Sequence, residues 1–220
     1  MREPVPHRAA GVVAGVGLVL ATIGLPGAAA GQEVAWPAYA ADAAATKYSP
    51  LDQINRDTIA DVEIVWRQPV IPEVTRRGNM TRGPLLSQNT PLMVGGLLYV
   101  STGLGSVAAL DATTGEVVWN DGPILEPGAD APLRTRQTRG VAYWTDGEDT
   151  RVIATRGPML VALNATTGAR YPDFGEGGEV DLRLGLMREF PDYYWNSAPL
   201  VINDVIIVGS FITDVNTSQL

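Results

Sequence analysis

The chain has 220 residues, of which 45% are hydrophobic and 18% charged, an ordinary globular balance with enough apolar material for a core. A net charge of −8 and a pI near 4.6 exclude a nucleic-acid partner, because phosphate binding needs a basic surface that releases counterions. With no cysteine, disulfides, thiolate nucleophiles, Cys-ligated zinc and lipid attachment through an N-terminal cysteine are excluded too.

In chain order, Arg2 and Arg8 come before an apolar stretch over 9–25, followed by Pro26 and the small residues Ala28, Ala29 and Ala30. This pattern predicts a secretory signal peptide over 1–30 and a mature domain over 31–220 that works in the periplasm or cell envelope. An uncleaved anchor is the alternative, since 17 apolar residues lie at the short end of a bilayer span. Gly11, Gly15, Gly17 and Gly24, with the A-x-A ending, favour cleavage after Ala30.

Beyond residue 31, Val, Thr and Tyr lie between turn-rich stretches, and the whole chain carries 24 Gly and 16 Pro, which predicts an all-β fold. The string DATTG at 111–115 recurs as NATTG at 164–168, 53 residues on, and the flanks 98–110 and 151–163 align without a gap. A partial third copy relates 90–99 to 198–207 at an offset of 108. A period near 50 residues made of short strands and turns is the mark of a β-propeller, each repeat being one small sheet. Within a copy, 97–102 and 106–110 read as successive buried strands and 117–119 as the outer one. In the turn between the last two, Asp111 is expected to cap backbone amides and Gly115 to take a positive φ. Trp119 is expected to pack between adjacent sheets. The second copy has Tyr171 and Pro172 at that place, so its junction is expected to pack differently.

The segment 36–67, WPAYAADAAATKYSPLDQINRDTIADVEIVWR, resembles the N-terminal signature of the quinoprotein dehydrogenases, which use pyrroloquinoline quinone (PQQ). Its spacing gives Trp36, Tyr48-Ser49, Ile54-Asn55 and two departures, Ala40 for Gly and Thr58 for Asn. Further resemblances run through QNTPLMVGGLLYVST, TRGVAYW, FGEGGEVDL and SAPLVINDVIIVGS, covering about 34–214. The resemblance implies a partial β-propeller, about three blades of an eight-bladed ring, with PQQ and calcium near the axis. It also implies an N-terminal fragment of a dehydrogenase that oxidises an alcohol, polyol or sugar hydroxyl and passes electrons to cytochrome c or a membrane quinone.

PQQ carries three carboxylates and an electrophilic quinone, so its site needs fixed cations and hydrogen-bond donors. Arg134, Arg136 and Arg139 form a local positive cluster, and Arg139 falls where the family places a cofactor-contacting arginine. Gln88 stands where relatives present a glutamate, and Asn196 where they often have a threonine. The first calcium ligand is expected after 205–209, where Asp214 is the only nearby carboxylate, although a surface acid is the competing reading there. Asp146, Glu148 and Asp149 read as a solvated hairpin turn. The resemblance places the catalytic Asp beyond Leu220, so no catalytic residue is assigned. Trp144 stands where the glucose-type branch tends to have His, which leaves the substrate class open. A fragment of this size is expected to be inactive alone. The rival reading is a non-catalytic envelope scaffold with the same blade repeat.

Overall fold

The computed structural model describes residues 34–69, 88–102, 105–122, 139–186, 195 and 197–209. Ten strands are described: β1 (Leu92–Val94), β2 (Leu97–Ser101), β3 (Val107–Asp111), β4 (Val117–Asp121), β5 (Ala142–Thr145), β6 (Thr150–Arg156), β7 (Met159–Asn164), β8 (Glu179–Asp181), β9 (Leu200–Ile202) and β10 (Val205–Ile207). They form two antiparallel four-stranded sheets, β1-β2-β3-β4 and β5-β6-β7-β8, and an antiparallel β9-β10 pair. Strands therefore pair in chain order, as short turns dictate. The predicted strands at 97–102, 106–110 and 117–119 match β2, β3 and β4 to within two residues.

Side chains alternate between the faces of a strand, and the second sheet uses both faces. Val152 and Ala154 of β6, with Val161 and Leu163 of β7, pack with Leu92, Tyr99, Val107 and Trp119 of the first sheet. The residues between them, Ile153, Leu160 and Ala162, pack with Val201, Ile206 and Val208 beside the third pair. Four consecutive buried residues in each of β6 and β7 follow from this covering of both faces. Three repeats thus lie face to face like successive propeller blades.

The repeated turn has the expected mechanism. Asp111 Oδ1 accepts from the amides of Thr113 (2.9 Å) and Thr114 (2.7 Å), and Asn164 Oδ1 accepts from Thr166 (3.0 Å) and Thr167 (2.9 Å). Gly115 and Gly168 sit at φ 75° and 72°. Trp119 docks onto the next turn, donating from Nε1 to the Ala165 carbonyl at 2.8 Å. A Cβ on Gly168 would lie 2.7 Å from its ring, so this glycine serves both the turn and the Trp packing.

Trp66 repeats this arrangement one period earlier. It lies 53 residues before Trp119, donates to the Ala112 carbonyl at 3.1 Å, and covers Gly115. It thus occupies the docking position that precedes the first described sheet.

The second copy packs differently, as its sequence predicts. Tyr171 joins the apolar cluster of its own sheet, and its hydroxyl bonds to Asp149 and accepts from Asn164 Nδ2 at 3.0 Å. The two sheets are also joined by ions. Asp121 of β4 pairs with Arg156 at 2.7 Å and Arg170 at 3.3 Å, while Arg170 also pairs with Glu179.

Candidate functional site

The ends of the inner strands define the site. Trp36 pairs with β1, donating to the Met93 carbonyl at 2.6 Å and accepting from its amide at 3.0 Å, so the 36–67 segment flanks the inner edge of the first sheet. That segment is held by its own polar residues. Asn55 Oδ1 accepts from the Asp57 amide at 2.9 Å, and the Thr58 hydroxyl donates to the Gln53 carbonyl at 2.6 Å. Thr58 thus ties the loop from the position where the family pattern has Asn. Where the pattern has Gly at 40, the positive φ falls instead on Ala41, at 75°.

Gln88 and Arg139 meet beside this segment, the guanidinium Nε donating to Gln88 Oε1 at 3.4 Å. Their backbones approach too, since the Thr90 amide donates to the Arg139 carbonyl at 3.2 Å. Gly140 makes the approach possible. It has φ 135°, and a Cβ there would lie 3.0 Å from the Thr90 carbonyl oxygen and 3.8 Å from Ala198.

Strand register explains why these residues converge. The last pair before the turn is Val94 with Leu97 in the first sheet, Thr145 with Thr150 in the second, and Ile202 with Val205 in the third. Gln88, Arg139 and Asn196 each stand six residues before the first member of these pairs, so they hold one position of the repeat. Asn196 and Asp214 themselves lie outside the described residues, as do Arg134 and Arg136.

A pocket of about 330 Å³ opens here, lined by Tyr39, Asp42, Arg139, Tyr143, Ser197 and Leu200 among others. Arg139 has no carboxylate partner among the described residues, so its charge is available to an anion. Asp42 is held below its usual pKa by hydrogen bonds from the Thr46 hydroxyl and amide, and remains an anion. Asn89 Oδ1 is buried with no donor among the described residues, against the Arg139–Gly140 turn. Sequence reasoning missed Tyr39, Asp42 and Asn89. They carry no motif, and only the crossing of the N-terminal segment brings the first two to Arg139.

The acidic group at 146–149 forms the expected hairpin turn, with Asp146 Oδ1 accepting from the amides of Glu148 (2.9 Å) and Asp149 (2.7 Å). Asp149 departs from simple solvation through Tyr171 and Arg151. Among the described residues no group of three or more His, Cys, Asp or Glu side chains is placed to hold a metal ion.

Stacked four-stranded sheets and a Trp-docked turn define a partial β-propeller, with a pocket beside the described ends of its first strands. A family profile described as "PQQ: Glucose/ethanol/alcohol dehydrogenase, beta-propeller domain" matches residues 36–219, and the chain belongs to this family. Quinoprotein glucose dehydrogenase A of Acinetobacter calcoaceticus is 28% identical over 215 residues, covering 86% of this chain and 25% of the relative. Quinate/shikimate dehydrogenase (quinone) of Acinetobacter baylyi is 32% identical over 208 residues, covering 83% and 25%. The crystal structure of quinohemoprotein alcohol dehydrogenase from Comamonas testosteroni superposes with a TM-score of 0.56 at 26% identity, covering 81% of this chain and 23% of that one. The chain therefore spans about a quarter of the length of the curated relatives it matches.

Proposed function

We propose that the protein containing this chain is a PQQ-dependent dehydrogenase that oxidises an alcohol, polyol or sugar hydroxyl. The observation that carries the reading is the meeting of Gln88 and Arg139 at equivalent inner-strand ends beside a pocket. The residues present suit the cofactor. Arg139 offers a guanidinium to a carboxylate and the Gln88 amide offers both a donor and an acceptor, while Gly140 permits the close backbone approach that brings the two together.

When bound, PQQ would supply a two-electron acceptor for the hydride of the substrate C–H bond. Arg139 would hold a cofactor carboxylate, with Gln88 fixing its guanidinium, and Asn196 would add a polar contact from the next repeat. Asp214 is proposed as one calcium ligand. The further readings that the protein is exported by residues 1–30 to the periplasm or envelope, and reduces cytochrome c or a membrane quinone, complete the proposal. They rest on the N-terminal pattern and the family resemblance.

The test is dye-linked oxidation of an alcohol, polyol and sugar panel by the full-length protein, with and without PQQ and calcium. Activity that requires PQQ and falls at least tenfold in Arg139→Ala is expected. Cofactor-independent behaviour, or no oxidation of any panel member, would overturn the enzyme reading in favour of the envelope scaffold.

A further inference from the structure

The sequence around Trp66 repeats the outer strand of the first sheet. Glu63-Ile64-Val65-Trp66 matches Glu116-Val117-Val118-Trp119 at the 53-residue period, and β4 begins at Val117. The docking matches too. Trp66 lies over Gly115 as Trp119 lies over Gly168, with an added Cβ 2.5 Å and 2.7 Å from the two rings. Each indole N–H reaches the carbonyl of the residue three before that glycine, Ala112 and Ala165.

What the segment lacks is a sheet. β4 is bonded to β3, with Trp119 opposite Ala109 and Val117 opposite Leu110, whereas among the described residues the backbone of 63–68 makes no hydrogen bond. Ile64 and Val65 are 68% and 80% exposed, against 48% and 51% for Val117 and Val118. The described chain before it does not supply the partner. In the first sheet the outer strand follows its neighbour through the 111–115 turn, but Ile59–Asp61 form a short 3-10 helix, and Trp36 is bonded to β1. A β-branched segment with an unpaired backbone edge, fixed in place by a docked Trp, is a template for strand addition.

The docking sets which sheet fits. Trp119 seats the first sheet on the turn of the second, so Trp66 seats a sheet on the turn of the first: three antiparallel strands of the same repeat, lacking only their outer strand. Supplied by a second copy, they would make a head-to-tail contact, which continues without limit unless its rotation closes. Repeats of one polypeptide stacked radially about an axis return to their start, and the last of them arrives beside Trp66. We propose that residues 63–68 are the outer strand of one further sheet, whose three inner strands come from a later repeat of the same polypeptide, so that this segment closes the ring. The inference rests on the longer protein proposed above, although not on its activity.

Hydrogen–deuterium exchange on the full-length protein without PQQ tests it, so failure of the dehydrogenase reading would leave the result intact. Slow amides within 63–68 are expected to exchange at least about a hundredfold more slowly than in an unfolded chain, alternating with fast ones as in a strand paired along one edge. A dilution of about tenfold should not change the pattern, because the pairing is intramolecular. Free exchange across 63–68 while β2 and β3 stay protected would overturn the proposal. Protection lost on dilution would overturn it too, by assigning the inner strands to a second copy.

Discussion

At the residue scale, two glycines with nearly the same backbone separate conformational strain from steric contact. Gly96 has φ 74° with nothing within 4 Å of an added Cβ, whereas Gly168 has φ 72° with the Trp119 ring 2.7 Å away. The left-handed conformation alone costs an L-residue roughly 1–2 kcal/mol. Gly96→Ala is therefore expected to lose about 1 kcal/mol of stability, and Gly168→Ala at least about 2 kcal/mol more, because the buried Trp119 cannot move without leaving the core. Urea unfolding measures both, and equal losses would contradict the double role assigned to Gly168. The positive φ at the end of the DATTG turn is legible from the string itself, whereas the ring over it is visible only once neighbouring sheets are stacked.

At the scale of elements, the junction between the two four-stranded sheets combines a Trp-docked face with an ion network. Asp121 and Arg156 have side chains 18% and 20% exposed, so their pairing is only partly screened. Arg156 also donates to the carbonyls of Gly105 at 2.7 Å and Asp121 at 3.0 Å, which fixes its geometry. A double-mutant cycle of Asp121→Ala and Arg156→Ala, read by urea unfolding, is expected to give a coupling of about 1–2 kcal/mol. A coupling near zero would show that the backbone contacts alone hold Arg156.

Strand positions in this region were legible because turn strings and apolar runs are local signals. The ion network was not, because Asp121, Arg156, Arg170 and Glu179 carry no spacing rule and meet only after the two four-stranded sheets have packed together. Trp66 is intermediate: its 53-residue spacing from Trp119 is written in the sequence, but the contact with Ala112 gives the spacing its meaning.

At the scale of the whole molecule, Tyr99 joins the sheets, with its ring centre 6.1 Å from that of Trp119 and 5.9 Å from that of Tyr143. Burial, with a smaller contribution from Tyr143, raises its pKa from 10.0 to about 12. The neutral phenol is the form the fold favours. Its contribution is therefore fully present below pH 10 and is lost as pH rises through about 12. Thermal unfolding is expected to show a steep fall in stability over that window, and Tyr99→Phe should flatten it. An unchanged alkaline limb in Tyr99→Phe would exclude Tyr99 as its origin.

The sequence by itself determined the repeat, the all-β architecture, the turn chemistry and the family, because each is carried by residues close together or at a constant period. It also singled out Gln88, Arg139 and Asn196, although separately. The 108-residue offset already makes Gln88 and Asn196 equivalent, whereas the equivalence of Arg139 emerged only from strand register, and the contact of Gln88 with Arg139 only from folding two sheets side by side. Tertiary structure alone decided that Tyr171 turns inward, that Trp144 meets Asp204, and that the 36–67 segment forms a wall of the Arg139 pocket. The physical reason is common to all three. Side-chain direction and apolar periodicity are local properties, whereas a cavity is shaped by elements whose separation in sequence carries no signal of their meeting in space.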